Sequence, residues 1–117
     1  MASQKRRFPR VDSLNLLSYF CVDEQGEVVT QGMGRTLNVS EGGILLETHI
    51  PIPSEHTVYL SIGFDEDVTD VRGEVAYTKE GENERIQSGI KFVDPDDNAR
   101  QVIADYVEAF EDHRQQS

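Results

Sequence analysis

Residues 56–64, HTVYLSIGF, decide the fold class, because apolar and polar side chains alternate along them. Val58, Leu60 and Ile62 fall on one face of an extended chain, since successive side chains of a strand point to opposite faces. This alternation is typical of a β-strand with one buried face. The sequence therefore predicts a strand here, with its apolar face turned towards a core.

Short extended stretches also lie on both sides of this strand. They are predicted at residues 17–22, 28–40, 44–48, 71–78 and 86–93, separated by turns rich in Gly, Asp, Asn and Pro. In the fourth of them, the phase puts Tyr77 on the same face as Val71 and Val75. Ile90 and Phe92 share a face in the last. Many short strands at this spacing indicate an all-β barrel or sandwich.

Only the C-terminal part of the chain has helical periodicity. Asp94 is the predicted N-cap and Pro95 the first helical residue, which gives a helix over about residues 95–113 and a frayed tail over 114–117. One apolar stripe runs along this helix through Val102, Ile103, Tyr106, Val107 and Phe110. The stripe either packs against the strands or forms a docking face for a partner.

Composition indicates one acidic domain. The chain has 117 residues, with 22 Asp and Glu against 11 Lys and Arg. This charge disfavours binding to a nucleic acid polymer. The single cysteine, Cys21, excludes an internal disulfide and is expected to be a buried, inert thiol. We find neither a signal peptide nor an apolar run long enough to enter a membrane, so we expect a cytoplasmic protein.

No catalytic motif stands out. His49, His56 and His113 are scattered, without ligand spacing to a carboxylate or to Cys21. The carboxylate pairs lie in turns and at the start of the helix, where solvation and capping explain them. We therefore expect neither an enzyme, nor a metal site, nor a cofactor.

The N-terminal stretch KRRFPR, residues 5–10, contrasts with the acidic remainder. Lys5, Arg6, Arg7 and Arg10 place four of the 11 cations within six positions. Such a cluster is either a solvated tail or a grip on an anion. A guanidinium can bind a phosphate through two hydrogen bonds, stack on a base, or donate to O6 and N7 of guanine.

The stretch NVSEGG, residues 38–43, is also open to two interpretations. As a turn, it needs residues that tolerate positive φ, namely Asn38, Gly42 and Gly43, and Ser40 can bond to the local backbone. As a binding loop, it offers an amide and a hydroxyl to a nucleobase edge, while the glycines allow a close approach.

The two stretches together resemble the PilZ domain family. Arg6 and Arg10 match an RxxxR motif, while Asn38, Ser40 and Gly43 match [D/N]xSxxG, in the order and at the separation found in that family. The resemblance covers essentially the whole chain. It implies a fold dominated by β-structure, a six-stranded antiparallel barrel with a C-terminal α-helix. It also implies binding of the bacterial second messenger cyclic di-GMP.

The resemblance assigns roles to individual residues. Arg6 and Arg10 would grip the phosphates and the Hoogsteen edges of the guanines, and Arg7 would add a contact or a stacking surface. Asn38 and Ser40 would face a guanine edge.

Two further positions follow from the same resemblance. Gly43 would keep the turn open to the ligand. Tyr77 is a candidate to stack on a base, although ordinary sheet packing explains a tyrosine there equally well. Lys5 occupies a position that influences ligand stoichiometry in the family, and one or two copies per protomer remain open.

These expectations combine into one hypothesis of function. A basic ligand-binding arm, residues 1–12, precedes a single barrel domain, residues 13–113. The protein would be a stand-alone cyclic di-GMP receptor that changes the conformation of its arm on binding and signals to a protein partner. The alternatives are a nucleotide-independent adaptor for a motility or pilus protein, and a barrel that binds single-stranded nucleic acid.

Overall fold

The chain forms six strands and one long helix in the structure, a computed structural model that describes residues 15–63 and 68–116. The strands are β1 (Leu16–Val22), β2 (Val28–Val39), β3 (Gly43–Thr48), β4 (Thr57–Ile62), β5 (Thr69–Glu80) and β6 (Ile86–Phe92). A short 3-10 helix (Glu82–Glu84) connects β5 to β6, and α1 (Asp97–Gln116) follows β6.

The strands close into an antiparallel barrel in the order β1-β2-β3-β6-β5-β4. Two three-stranded meanders, β1–β2–β3 and β4–β5–β6, are joined along two seams. One seam pairs β3 with β6, and the other pairs β1 with β4. Phe20 and Tyr59 face each other across the β1–β4 seam, and their rings stack with centroids 5.2 Å apart. The predicted barrel with a C-terminal helix is confirmed.

The apolar faces predicted from alternation line the interior of the barrel. Val58, Leu60 and Ile62 of β4 are all fully buried, and Ile90 and Phe92 of β6 join them in the core. Residues of this kind are driven inside because burying a side chain of their size contributes roughly 1.5–3 kcal/mol. The interior of the barrel is therefore the hydrophobic core.

The thiol of Cys21 lies in this core. It is fully buried and unpaired, and burial raises its pKa. The expectation of a buried thiol is confirmed.

The phase predicted for β5 is wrong after Val75. A β-bulge at Ala76 separates Val75, which pairs with Ile90, from Tyr77, which pairs with Gly89. A bulge inserts one residue, so every later side chain changes face. Tyr77 therefore lies on the outer face of the barrel, with 51% of its surface exposed.

The start of the helix also differs from the prediction. Asp94 has a φ of 46° and precedes the helix, whereas the Asp96 carboxylate accepts a hydrogen bond from the Ala99 N–H at 2.8 Å. Asp96 is thus the N-cap, and the helix begins at Asp97 rather than at Pro95. It continues to Gln116, past the end predicted near residue 113.

The apolar stripe of α1 packs against the barrel. Val102, Ile103, Tyr106 and Phe110 are buried in the same core as the strands. The Tyr106 hydroxyl lies 2.9 Å from Thr36 Oγ1 of β2, and both groups are buried. Of the two interpretations of the stripe, packing is the one that the structure supports. No helix among the described residues is long and apolar enough to cross a membrane.

Candidate ligand-binding site

The turn between β2 and β3 is held by its own polar groups. The Ser40 N–H donates to the Gly43 carbonyl at 2.9 Å, and the Gly42 N–H donates to Ser40 Oγ at 3.3 Å. Asn38 Oδ1 accepts a hydrogen bond from the Val39 N–H at 3.0 Å. These bonds fix the backbone of the predicted binding loop and leave the Asn38 and Ser40 side chains at an exposed surface.

The reason for the two glycines differs from the one predicted. Positive φ among the described glycines occurs at Gly26 and Gly63, not at Gly42 or Gly43, and Asn38 is not in that region either. A Cβ on Gly43 would instead lie 2.5 Å from the Ile90 carbonyl oxygen of β6. Gly43 is therefore required by the close approach of two backbones in the β3–β6 seam.

Two β-bulges lie on either side of this seam. One is at Leu37 in β2, where Thr36 pairs with Leu46 and Asn38 with Leu45. The other is the bulge at Ala76 in β5. Because a bulge bends its strand and increases the local twist, β2 and β5 both curve beside β3 and β6. The two bulges thus flank the outer face formed by β3 and β6.

A cleft of about 290 Å³ lies on this outer face. The residues that line it come from the β2–β3 hairpin and the β5–β6 hairpin: Asn38, Val39, Ser40, Gly42, Gly43, Ile44, Leu45, Ala76, Tyr77, Gly89, Ile90 and Lys91. Four residues predicted as ligand contacts, Asn38, Ser40, Gly43 and Tyr77, are thus brought together in one cleft.

The Tyr77 ring lies across Gly89 of the neighbouring strand. A Cβ on Gly89 would overlap with the ring, so the absence of a side chain lets the ring lie against the sheet. The ring is half exposed and forms one wall of the cleft. Gly89 was not predicted as a site residue, although a glycine inside a strand is a recognised sign of a close approach. Leu45 and Lys91 also line the cleft and were not predicted.

An ion-pair cluster lies beside the cleft on the same outer face. The Glu47 side chain is 9% exposed. Its Oε1 forms ion pairs with Arg35 Nε at 3.2 Å and with Arg85 Nη1 at 3.3 Å. The carboxylate thereby ties β2, β3 and the end of the β5–β6 connection together. Removing either arginine weakens the pairing of the buried Glu47 carboxylate, so the first effect of such a change is on stability.

The predicted arm residues Arg6, Arg7 and Arg10 lie outside the described residues. Within residues 15–63 and 68–116, no group of three His, Cys, Asp or Glu side chains is arranged to hold a metal ion.

Comparison with known proteins identifies the family. The model of the PilZ domain matches residues 4–109. The chain belongs to the PilZ domain family. No curated relative matches the sequence.

Solved structures share the fold of this PilZ domain. The PilZ domain of YcgR from Escherichia coli, solved with c-di-GMP, superimposes with a TM-score of 0.61 at 12% identity, over 97% of this chain and 96% of that one. The PilZ domain of CeSA from a cellulose-synthesizing bacterium gives 0.56 at 14% identity, over 82% and 93%. MrkH from K. pneumonia in its apo state gives 0.56 at 17% identity, over 98% of this chain and 56% of that one.

Proposed function

We propose that this PilZ domain is a receptor for cyclic di-GMP, bound between the cleft and the basic arm. The observation that carries the proposal is the convergence of Asn38, Ser40, Gly43 and Tyr77 from two separate hairpins on one cleft. The structural neighbour YcgR, whose PilZ domain was solved with that ligand, supports the choice of ligand.

The chemistry of the cleft suits a guanine nucleotide. An amide and a hydroxyl can donate to and accept from a base edge, and both stand at the same rim of the cleft. Tyr77 offers a flat, half-exposed ring, and stacking of a base on an aromatic ring is worth about 1–3 kcal/mol. We therefore assign base recognition to Asn38, Ser40 and Tyr77.

The geometry of β1 supports a role for the arm. Leu16 pairs with Arg35, and Asn38 lies further along β2 in the direction from which the chain enters β1. Strand spacing and rise put Asn38 about 10 Å from Leu16. The six steps between Arg10 and Leu16 can span at most about 20 Å, so Arg10 is within reach of the cleft.

The size of the cleft is a second argument for the arm. Small-molecule sites commonly measure about 300–1,000 Å³, and this cleft lies at the lower limit. A further wall would enclose more of a dinucleotide. We assign that wall to residues 1–12, with Arg6, Arg7 and Arg10 meeting the phosphates, and the resulting change of the arm would be the signal that a protein partner detects.

Calorimetric titration with cyclic di-GMP tests the proposal, with GTP and a short single-stranded oligonucleotide as controls. Saturable binding of cyclic di-GMP alone is the expected result. Absence of both heat and thermal stabilisation would overturn the proposal and favour the nucleotide-independent adaptor. Binding of the oligonucleotide with comparable affinity would instead favour the nucleic-acid alternative.

Variants separate the two parts of the site. Arg10→Ala should weaken binding by about 10- to 150-fold, because a hydrogen bond to a charged group contributes about 1.5–3 kcal/mol. Asn38→Ala and Ser40→Ala should cost less, since neutral hydrogen bonds contribute about 0.5–1.5 kcal/mol. Arg100→Ala is the matched control, because Arg100 is exposed on α1 and does not line the cleft.

A further inference from the structure

Lys91 of β6 is the one Lys or Arg among the residues that line the cleft in the described part of the chain. We propose that Lys91 binds a phosphate of the ligand directly and makes the cleft itself selective for anionic ligands. This inference rests on the proposed function. It adds a cation that belongs to the barrel rather than to the arm.

The neighbours of Lys91 leave one side of it open. In the seam, Lys91 pairs with Gly43, which has no side chain and has no room for one against the Ile90 carbonyl. On the other side it pairs with Glu74 of β5. Among the described residues, the neighbour of Lys91 on the β3 side is thus a residue without a side chain, and Ser40 lines the same cleft. A ligand whose base meets Ser40 would have its phosphate within reach of the Lys91 ammonium group.

The other cations near the cleft form ion pairs, whereas Lys91 forms none within the described residues. Arg35 and Arg85 bind Glu47, and Arg72 lies 3.8 Å from Asp94. Lys91 forms no ion pair with any residue in the ranges 15–63 and 68–116. Its side chain is exposed. An exposed cation without an ion pair costs little in water, and an anion that enters the cleft would give it a partner.

The acidity of the protein increases the effect that a cation at position 91 has on an anionic ligand. The protein carries 22 acidic against 11 basic side chains, so a dianionic ligand is repelled over most of its surface. A single ammonium in the cleft changes the local field where the ligand binds. Lysine also acts as a compact point charge, which suits a phosphate without demanding one fixed geometry.

The experiment compares Lys91→Met with Lys79→Met in the full chain. Lys79 is the matched control because it is also an exposed lysine of this sheet, pairs with the neutral Gln87, and does not line the cleft. The two lysines are about 13 Å apart along the strands, which exceeds the Debye length of about 8 Å at physiological salt. Methionine keeps a long unbranched side chain, and circular dichroism melts check that both variants fold.

Affinity for cyclic di-GMP is measured at low and at high salt. Lys91→Met should weaken binding by about 5- to 20-fold at low salt, between the effect of an exposed ion pair and that of a charge-assisted hydrogen bond. The difference from the unmodified chain should narrow as salt rises. Lys91→Arg should retain most of the affinity, and Lys79→Met should stay within about twofold, as expected for a surface site outside the cleft.

The outcomes distinguish this inference from the proposed function. If the unmodified chain does not bind cyclic di-GMP, the proposed function fails and the inference falls with it. If the unmodified chain binds and Lys91→Met binds equally well, Lys91 is only a solvated surface charge and the inference alone is overturned. Equal losses in Lys91→Met and Lys79→Met would also overturn it, since they would indicate a general effect of net charge.

Discussion

Replacing Gly43 with alanine should destabilise the barrel, whereas the same change at the adjacent Gly42 should not. At Gly43 the new Cβ would lie 2.5 Å from the Ile90 carbonyl oxygen, and the gap would have to grow by at least 0.5 Å to reach the 3.0 Å below which real Cβ contacts essentially do not occur. The obstacle is backbone, so no side-chain rotation can relieve it. Strands β3 and β6 must therefore separate.

The expected magnitude follows from this overlap. Overpacking that forces the backbone to shift typically costs about 1–3 kcal/mol. In a chain of this size, each kcal/mol lowers the melting temperature by about 3–6 °C. We therefore expect Gly43→Ala to melt about 3–18 °C below the unmodified protein.

Gly42→Ala is the matched control. Among the described residues, only Ser40 Oγ lies near the Cβ position of Gly42, at 4.0 Å, and the φ of Gly42 is not in the left-handed region. Alanine there should be neutral, or should stabilise by up to about 1 kcal/mol through a less flexible unfolded chain.

Urea and thermal denaturation followed by circular dichroism provide the assay. The Gly43→Ala variant should also bind ligand more weakly, because the seam that it widens forms the floor of the cleft. Equal stability of Gly42→Ala and Gly43→Ala would refute the argument that the backbone of β6 requires a glycine at position 43.

Two further predictions concern buried hydroxyl groups. Tyr106→Phe should lower stability by about 1–2 kcal/mol in a denaturant titration, because it leaves the buried Thr36 hydroxyl without the partner at 2.9 Å; an unchanged free energy of unfolding would show that this bond contributes nothing. Ser88→Ala should raise stability by about 1 kcal/mol, since Ser88 Oγ is buried in the barrel without a hydrogen-bond partner among the described residues, and a loss of stability would contradict that description.

Much of the fold follows from simple alternation. Val58, Leu60 and Ile62 have the period of two that a half-buried strand requires, and all three are buried. The stripe on α1 has the period of a helix packed on one face. Such patterns arise because each side chain either enters the core or faces water, and this choice is visible locally.

The errors lie where one residue interrupts a repeat. Tyr77 has the phase of Val71 and Val75 in the sequence, but the bulge at Ala76 moves it to the outer face. Nothing in a period-two pattern reveals an inserted residue. The predicted N-cap was also wrong. Asp94 and Asp96 are both acceptable cap residues, and only the geometry of the chain after β6 selects Asp96.

The site was predictable only in part, because some of its residues meet through pairing between distant strands. Asn38, Ser40 and Gly43 lie close together in the chain, so one loop motif contains them. Gly89 and Lys91 come close to these loop residues through the pairing of β3 with β6, and this pairing cannot be predicted from the pattern of a single sequence. The reason for Gly43 was missed because its constraint, the Ile90 carbonyl, lies on another strand.

The seam between β3 and β6 also has a consequence for how the molecule assembles. Each meander can form from neighbouring strands, but Gly43 meets Lys91 only when the two halves of the chain come together. Pairings between distant segments are slow to form, because the loop between them must lose its conformational entropy first. The cleft lies across this seam, so it should be among the last features to appear during folding. A ligand bound there would hold the two halves closed, slowing their separation and the loss of the protein to proteolysis.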